Sequence, residues 1–196
     1  MTTSKARAIP LHGRKPILLA ALLCAGAAQA QEPAQDVPRT VPSPIACPPG
    51  PPALPAELAA WNQRMPLAAA RNAKQVLTVA RLDLGRAVDG ELAPTRKVRY
   101  ATPPGQPGAS TSFGGLYAFS VSQPGDYRIV LGTAAWIDVV KPARDSKPET
   151  STTHGRGPDC SGIRKMIDFP LQPGDYVLQI SGSPDARVPL LIVPAA

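Results

Sequence analysis

Leu116-Tyr117-Ala118-Phe119-Ser120-Val121-Ser122-Gln123-Pro124-Gly125-Asp126-Tyr127-Arg128-Ile129-Val130-Leu131 is the stretch on which the fold turns. Tyr117, Phe119 and Val121 occupy every second position, and so do Tyr127, Ile129 and Leu131. A period of two is the mark of a strand with one face in a core. Between the two runs lies Gln123-Pro124-Gly125-Asp126-Tyr127. Pro presets φ at the second turn position and Gly accepts a positive φ at the third, which predicts a type II turn. The same five residue types recur as Gln172-Pro173-Gly174-Asp175-Tyr176, after Ile167, Phe169 and Leu171 and before Leu178 and Ile180. Each copy reads as a strand–turn–strand hairpin whose tyrosine enters the core and whose aspartate accepts backbone N–H groups of the turn. Calcium binding by these turns requires more oxygen ligands than one carboxylate each provides.

Working outward, the same periodicity marks 76–84, 97–101, 135–140, 165–171, 176–180 and 188–193. With 116–121 and 127–131 this makes about eight strands joined by Gly and Pro turns. The expectation is an all-β fold, a β-sandwich of jelly-roll-like character, spanning 57–196. Pro55 opens one short helix, Ala56 to Arg64, in which Leu58 and Trp61 stand three apart and present one apolar edge to the domain. Residues 31–56 carry nine prolines and read as an extended proline-rich arm or linker.

The first 30 residues read as a secretory signal peptide. Lys5, Arg7, Arg14 and Lys15 give a positive start, Ile17 to Ala28 is apolar, and Ala28-Gln29-Ala30 is a small-x-small cleavage pattern. Cleavage after Ala30 predicts a periplasmic or secreted protein. Lipidation at Cys24 is disfavoured because Leu23 stands where a small residue is needed. The whole chain has 21 basic and 14 acidic residues, a net charge of +7. Four of the basic residues leave with the signal and no acidic one does. The remaining small excess, with no basic run, argues against a nucleic-acid partner. No apolar stretch is long enough for a membrane span. Cys47 and Cys160 are then an even pair in an oxidising compartment and are expected to form a disulfide, a free reactive thiol at Cys160 being the alternative.

Chemistry-bearing residues concentrate in 153–165, a glycine-rich loop. His154 is the one histidine outside the signal segment. A three-His zinc site, a two-His-one-carboxylate iron site and a two-His copper site all require more imidazoles, so no metal and no cofactor is expected. His154, Asp159 and Ser161 are the residue types of a hydrolytic triad, but no strand–turn–helix nucleophile elbow surrounds them. Arg156, Arg164 and Lys165 beside glycine N–H groups suit a carboxylate or phosphate. Trp136 and Asp138 share one strand face. They make either a sugar-stacking platform with a hydroxyl acceptor or, the reading favoured by the scarcity of aromatics, a core residue turned toward the second sheet. The candidate ligand-binding set is therefore His154, Arg156, Asp159, Arg164, Lys165, Trp136 and Asp138.

Two resemblances attach to these motifs. Gly115 to Val121 followed by Pro124 to Leu131 resembles the strand–turn–strand of pre-peptidase C-terminal-type domains, which are secreted β-sandwiches that accompany enzymes. The run Ala135-Trp136-Ile137-Asp138-Val139-Val140, with His154 to Phe169, is similar to a family of small exported proteobacterial proteins often labelled homogentisate 1,2-dioxygenase; the similarity extends over most of 47–193. That label implies a ring-cleaving enzyme with iron held by two His and one Glu, and no catalytic residue of that kind carries over to this chain. The expected function is an exported, non-catalytic binding or accessory module that engages an envelope component, a small anionic ligand or a glycan. The alternatives are the dioxygenase of the label or a small secreted hydrolase.

Overall fold

The structure, a computed structural model, describes residues 46–50, 52–143 and 146–195. The signal segment and most of the proline-rich arm lie outside the described residues. The fold is all-β, with ten strands in two sheets among the described residues. They are β1 Met65–Ala68, β2 Val88–Glu91, β3 Ala93–Pro94, β4 Phe113–Val121, β5 Gly125–Leu131, β6 Trp136–Val140, β7 Thr153–Gly155, β8 Lys165–Leu171, β9 Gly174–Ser183 and β10 Arg187–Pro194. One sheet has the order β1-β2-β10-β5-β8-β7 and the other β3-β4-β9-β6. The β1–β2 pair is parallel and the other strand pairs are antiparallel.

The two sheets press their inner faces together. Tyr117 and Phe119 of β4, Tyr176, Leu178 and Ile180 of β9, and Ile129, Leu131, Leu190 and Ile192 of the larger sheet are all within 5% of full burial. Phe119 and Tyr176 stack at 5.6 Å between ring centroids, a separation at which offset aromatic pairs attract.

The repeated motif does something other than turn a hairpin. β4 belongs to the smaller sheet and β5 to the larger, and β8 and β9 are divided in the same way. Each Gln-Pro-Gly-Asp-Tyr copy is thus an arch that carries the chain from one sheet to the other. It is not a type II turn: Gly125 does not take a positive φ, and Gly174 sits at +149°, far from the roughly +80° such a turn needs. Both tyrosines enter the core as expected, and each clasps its own arch. Tyr127 Oη donates to Gln123 O and Tyr176 Oη to Gln172 O, both at 2.9 Å. A buried phenol needs a partner, and a carbonyl four residues upstream supplies it without interrupting either sheet. Asp175 does not bind turn amides; its carboxylate accepts from Ser120 Oγ on β4.

Two expected strands are not strands. Val76–Val79 is a single α-helical turn, with Val76 buried and Val79 exposed. Thr95–Lys97 is a 3-10 turn, with Arg99 making one isolated bridge to Asn72. The physical reason lies at the edge of β4. Beyond β3, that edge is closed by backbone bonds to Ala70 and then to Ala80 and Leu82, so only single residues of this segment need an extended conformation. The short helix is a 3-10 helix, Ala56–Asn62. Its Leu58 and Trp61 lie on the outer face of the larger sheet with Val130, Leu191 and Val193. Beside it the expected Cys47–Cys160 disulfide is formed, closing 113 residues.

Candidate functional site

The smaller sheet ends at β6 and the larger at β7, and a cleft of about 340 Å³ opens between these margins. Its apolar side is Ile137, Ile167 and Phe169. Its polar side is Trp136, Asp138, Glu149, Ser151, His154 and Lys165. Four of the seven expected ligand-binding residues therefore meet here.

Trp136 does not face the opposite sheet, contrary to the favoured reading. Its neighbour Ile137 takes the core position, and the alternation of β6 places Trp136 and Asp138 on the outer face. There the segment 101–110 folds over them. A Cβ on Gly105 would come within 2.8 Å of Trp136 Nε1, so a side chain at 105 would displace the indole. Asp138 is 5% exposed, and both its oxygens are engaged: Oδ1 accepts from Trp136 Nε1 at 2.9 Å and Oδ2 from Gly105 N at 3.2 Å. The expected sugar-hydroxyl acceptor is instead a brace that orients the indole and fastens the covering loop. Gln179 and Ser181 of β9, both fully buried, continue that line. Gln179 Oε1 accepts from Ala101 N and Thr102 N, and Ser181 Oγ donates to Gln106 O. Replacement Asp138→Ala leaves two donors without an acceptor. We expect a loss of about 2–3 kcal/mol in denaturant unfolding, with faster amide exchange at Gly105. Unchanged exchange there would show that the brace is not what holds the loop.

Lys165 begins β8. Its Nζ donates to Ala135 O at 2.6 Å and stands 5.9 Å from the Trp136 ring centroid, within cation–π range. Burial pushes its pKa below the ordinary lysine value. An ammonium offers three donors. One is used here, and Lys165 has no ion pair among the described residues. His154 on β7 is exposed and its Nε2 pairs with Ser151 Oγ at 2.8 Å. Glu149 and Ser151 were not singled out from the sequence. No spacing pattern marks them; they reach the cleft because Glu149 N bonds to Val139 O, which pins this segment along β6.

The other three expected residues are elsewhere. Arg156, Asp159 and Arg164 border a separate depression of about 240 Å³ beside Cys160 and Gly162. Within this loop Cys160 (φ +62°) and Gly162 (φ +71°) are both left-handed. The hydrolytic residue types do not gather: Ser161 Oγ donates to Pro158 O inside its own loop and accepts from Ile163 N, whereas His154 lines the cleft. Nor do the residues suit the iron implied by the resemblance. The chain has one histidine among the described residues, and no group of three or more His, Cys, Asp or Glu side chains comes together among them. No helix among the described residues is long and apolar enough to cross a membrane. No known family model matches the chain, and no curated protein sequence matches it significantly.

Proposed function

We propose that this protein is a non-catalytic binding module of the cell envelope and that the cleft at the β6–β7 margin takes a small ligand with a carboxylate on an apolar or sugar-ring body. The observation that supports this reading is the Lys165 ammonium, which is partly buried over Trp136 beside an apolar wall and has two unused donors. An anion entering the cleft would give the partly buried Lys165 a charge partner, and the indole gives the ligand's ring a surface to leave water against. Pockets with an apolar lining and a few fixed polar groups bind by this combination. The signal-like segment at 1–30 and the disulfide support export to the periplasm or outside the cell as part of this reading.

The test is calorimetric titration with uronic-acid oligosaccharides and aromatic carboxylates against their neutral counterparts. We expect saturable binding of acidic ligands, weakened about tenfold or more by Lys165→Gln, since a bond to a charged group is worth roughly 1.5–3 kcal/mol. Affinity should fall as pH rises through the depressed Lys165 value, because the neutral amine no longer attracts the anion; this loss begins below the range where an ordinary lysine titrates. Binding that ignores both Lys165→Gln and pH, or ring cleavage by purified protein carrying stoichiometric iron, overturns the reading.

A further inference from the structure

Charge in this chain is segregated in a way the total conceals. Between Glu57 and Asp83 there is no acidic residue, and between Glu91 and Asp126 there is none; these two intervals hold seven basic residues. The fold brings them together. Arg99 N bonds to Arg71 O at 2.7 Å, Lys74 and Arg99 border one depression of about 470 Å³, and Arg71 and Lys97 border its neighbour. Arg96 and Lys97 sit on the Thr95–Lys97 turn. Arg71, Lys74, Arg96, Lys97 and Arg99 are all exposed, and none is in an ion pair among the described residues. Glu91 is the one acidic side chain that borders either depression.

A second feature adjoins this basic face. The single helical turn Val76–Val79, entered directly from Lys74 and Gln75, exposes Leu77 to 37% and Val79 to 59%. Among the described residues, two of the three large apolar side chains most exposed to water are therefore within a few residues of the basic cluster. Like-charged side chains that outnumber the single acid beside them repel one another, and that repulsion is relieved by an anionic partner. Apolar side chains beside them gain from a partner that also offers an apolar phase.

We propose that this face docks the protein onto an anionic lipid bilayer, with the five basic side chains at the phosphate layer and Leu77 and Val79 at the acyl boundary. A soluble polyanion satisfies the charges but leaves the apolar pair in water, so the bilayer is the occupant both features favour. Juxtamembrane basic residues contribute additively to such binding and are screened by salt.

Vesicle co-sedimentation tests it. The full chain is compared with its variants on phosphatidylcholine vesicles and on vesicles that also contain phosphatidylglycerol. Every variant keeps the same N-terminal segment, so differences report this face. Folding of each is checked by near-ultraviolet circular dichroism. Binding is expected on the anionic vesicles, declining with added salt. The triple change Arg96→Gln, Lys97→Gln and Arg99→Gln should weaken it about 100-fold, and Leu77→Ser with Val79→Ser several-fold, while Lys165→Gln leaves it unchanged. Absence of binding to anionic vesicles overturns the proposal, and so does indifference to the triple change. Retention on heparin with vesicle binding indifferent to the Leu77 and Val79 changes would assign the face to a soluble polyanion and overturn it equally.

Discussion

Trp61→Ala should cost this protein about 3–5 kcal/mol of unfolding free energy, the range for removing a buried Trp or Phe. Trp61 is 2% exposed and lies with Leu58 on the outer face of the larger sheet, against Val130, Leu191 and Val193. Its Nε1 donates to Ser161 O at 2.9 Å, so truncation also strips a buried carbonyl of its donor. The indole thus joins three pieces of chain distant in sequence: the 3-10 helix, the centre of the sheet and the loop that ends at Lys165. Trp61→Phe separates the two contributions. It keeps most of the buried area and loses the bond, and about 1–2 kcal/mol is expected. The measurement is denaturant unfolding followed by far-ultraviolet circular dichroism under oxidising conditions. A loss below about 1 kcal/mol for Trp61→Ala would mean that this sheet face does not depend on its cover.

Removing the disulfide is the second large effect. The Cys47–Cys160 bridge closes 113 residues, and loop-closure entropy for a loop of that length predicts stabilisation near ~4–5 kcal/mol, with measured native bridges usually giving about 2–5. Cys47→Ser with Cys160→Ser should therefore lower stability by that order and steepen the denaturant dependence, because the unfolded chain exposes more surface. Position 160 adds a specific expectation. Cys160 is a non-glycine residue at φ +62°, a conformation that costs an L-residue about 1 kcal/mol and glycine nothing. The pair Cys47→Ser with Cys160→Gly should recover part of the loss. If the glycine version is no more stable than the serine version, the left-handed turn at 160 does not persist once the bridge is gone. The bridge and Trp61 both anchor the 158–163 loop, so their effects should not add.

These two anchors show how far the residues alone could be read. Six long strands follow from alternation, since Tyr117, Phe119, Ile129, Ile137, Phe169, Leu178 and Leu190 all had to face one core. The strands that escaped are short: Met65–Ala68 contains a proline, Val88–Glu91 carries two acids, Ala93–Pro94 is two residues long, and Thr153–Gly155 has one glycine and no aliphatic side chain. Four residues or fewer cannot display a period. Their conformation is imposed by the ladder they join. The arches were misread for a related reason: alternation states which residues are inward, not which sheet a strand joins, and both outcomes place Tyr127 and Tyr176 in the core. The cleft was half visible. Trp136, Asp138, His154 and Lys165 belong to strands whose margins meet, but Asp138 was taken for a ligand group when its burial commits it to Trp136 and Gly105. Arg156, Asp159 and Arg164 are near His154 in sequence but border a different depression, and sequence proximity within a loop does not say which side chains share a cavity.

The place of β10 has a consequence for how the molecule comes into being. It follows every other strand in the chain, yet it lies between β2 and β5 near the middle of the larger sheet. Until residues 187–194 exist, that sheet is two fragments with no shared ladder, and each arch sends consecutive strands, β4 and β5 or β8 and β9, to different sheets. Such high contact order slows folding and ties it to the arrival of β10. A nascent chain of this kind stays open and threadable until β10 is made, the state in which a polypeptide can still pass through a narrow conduit.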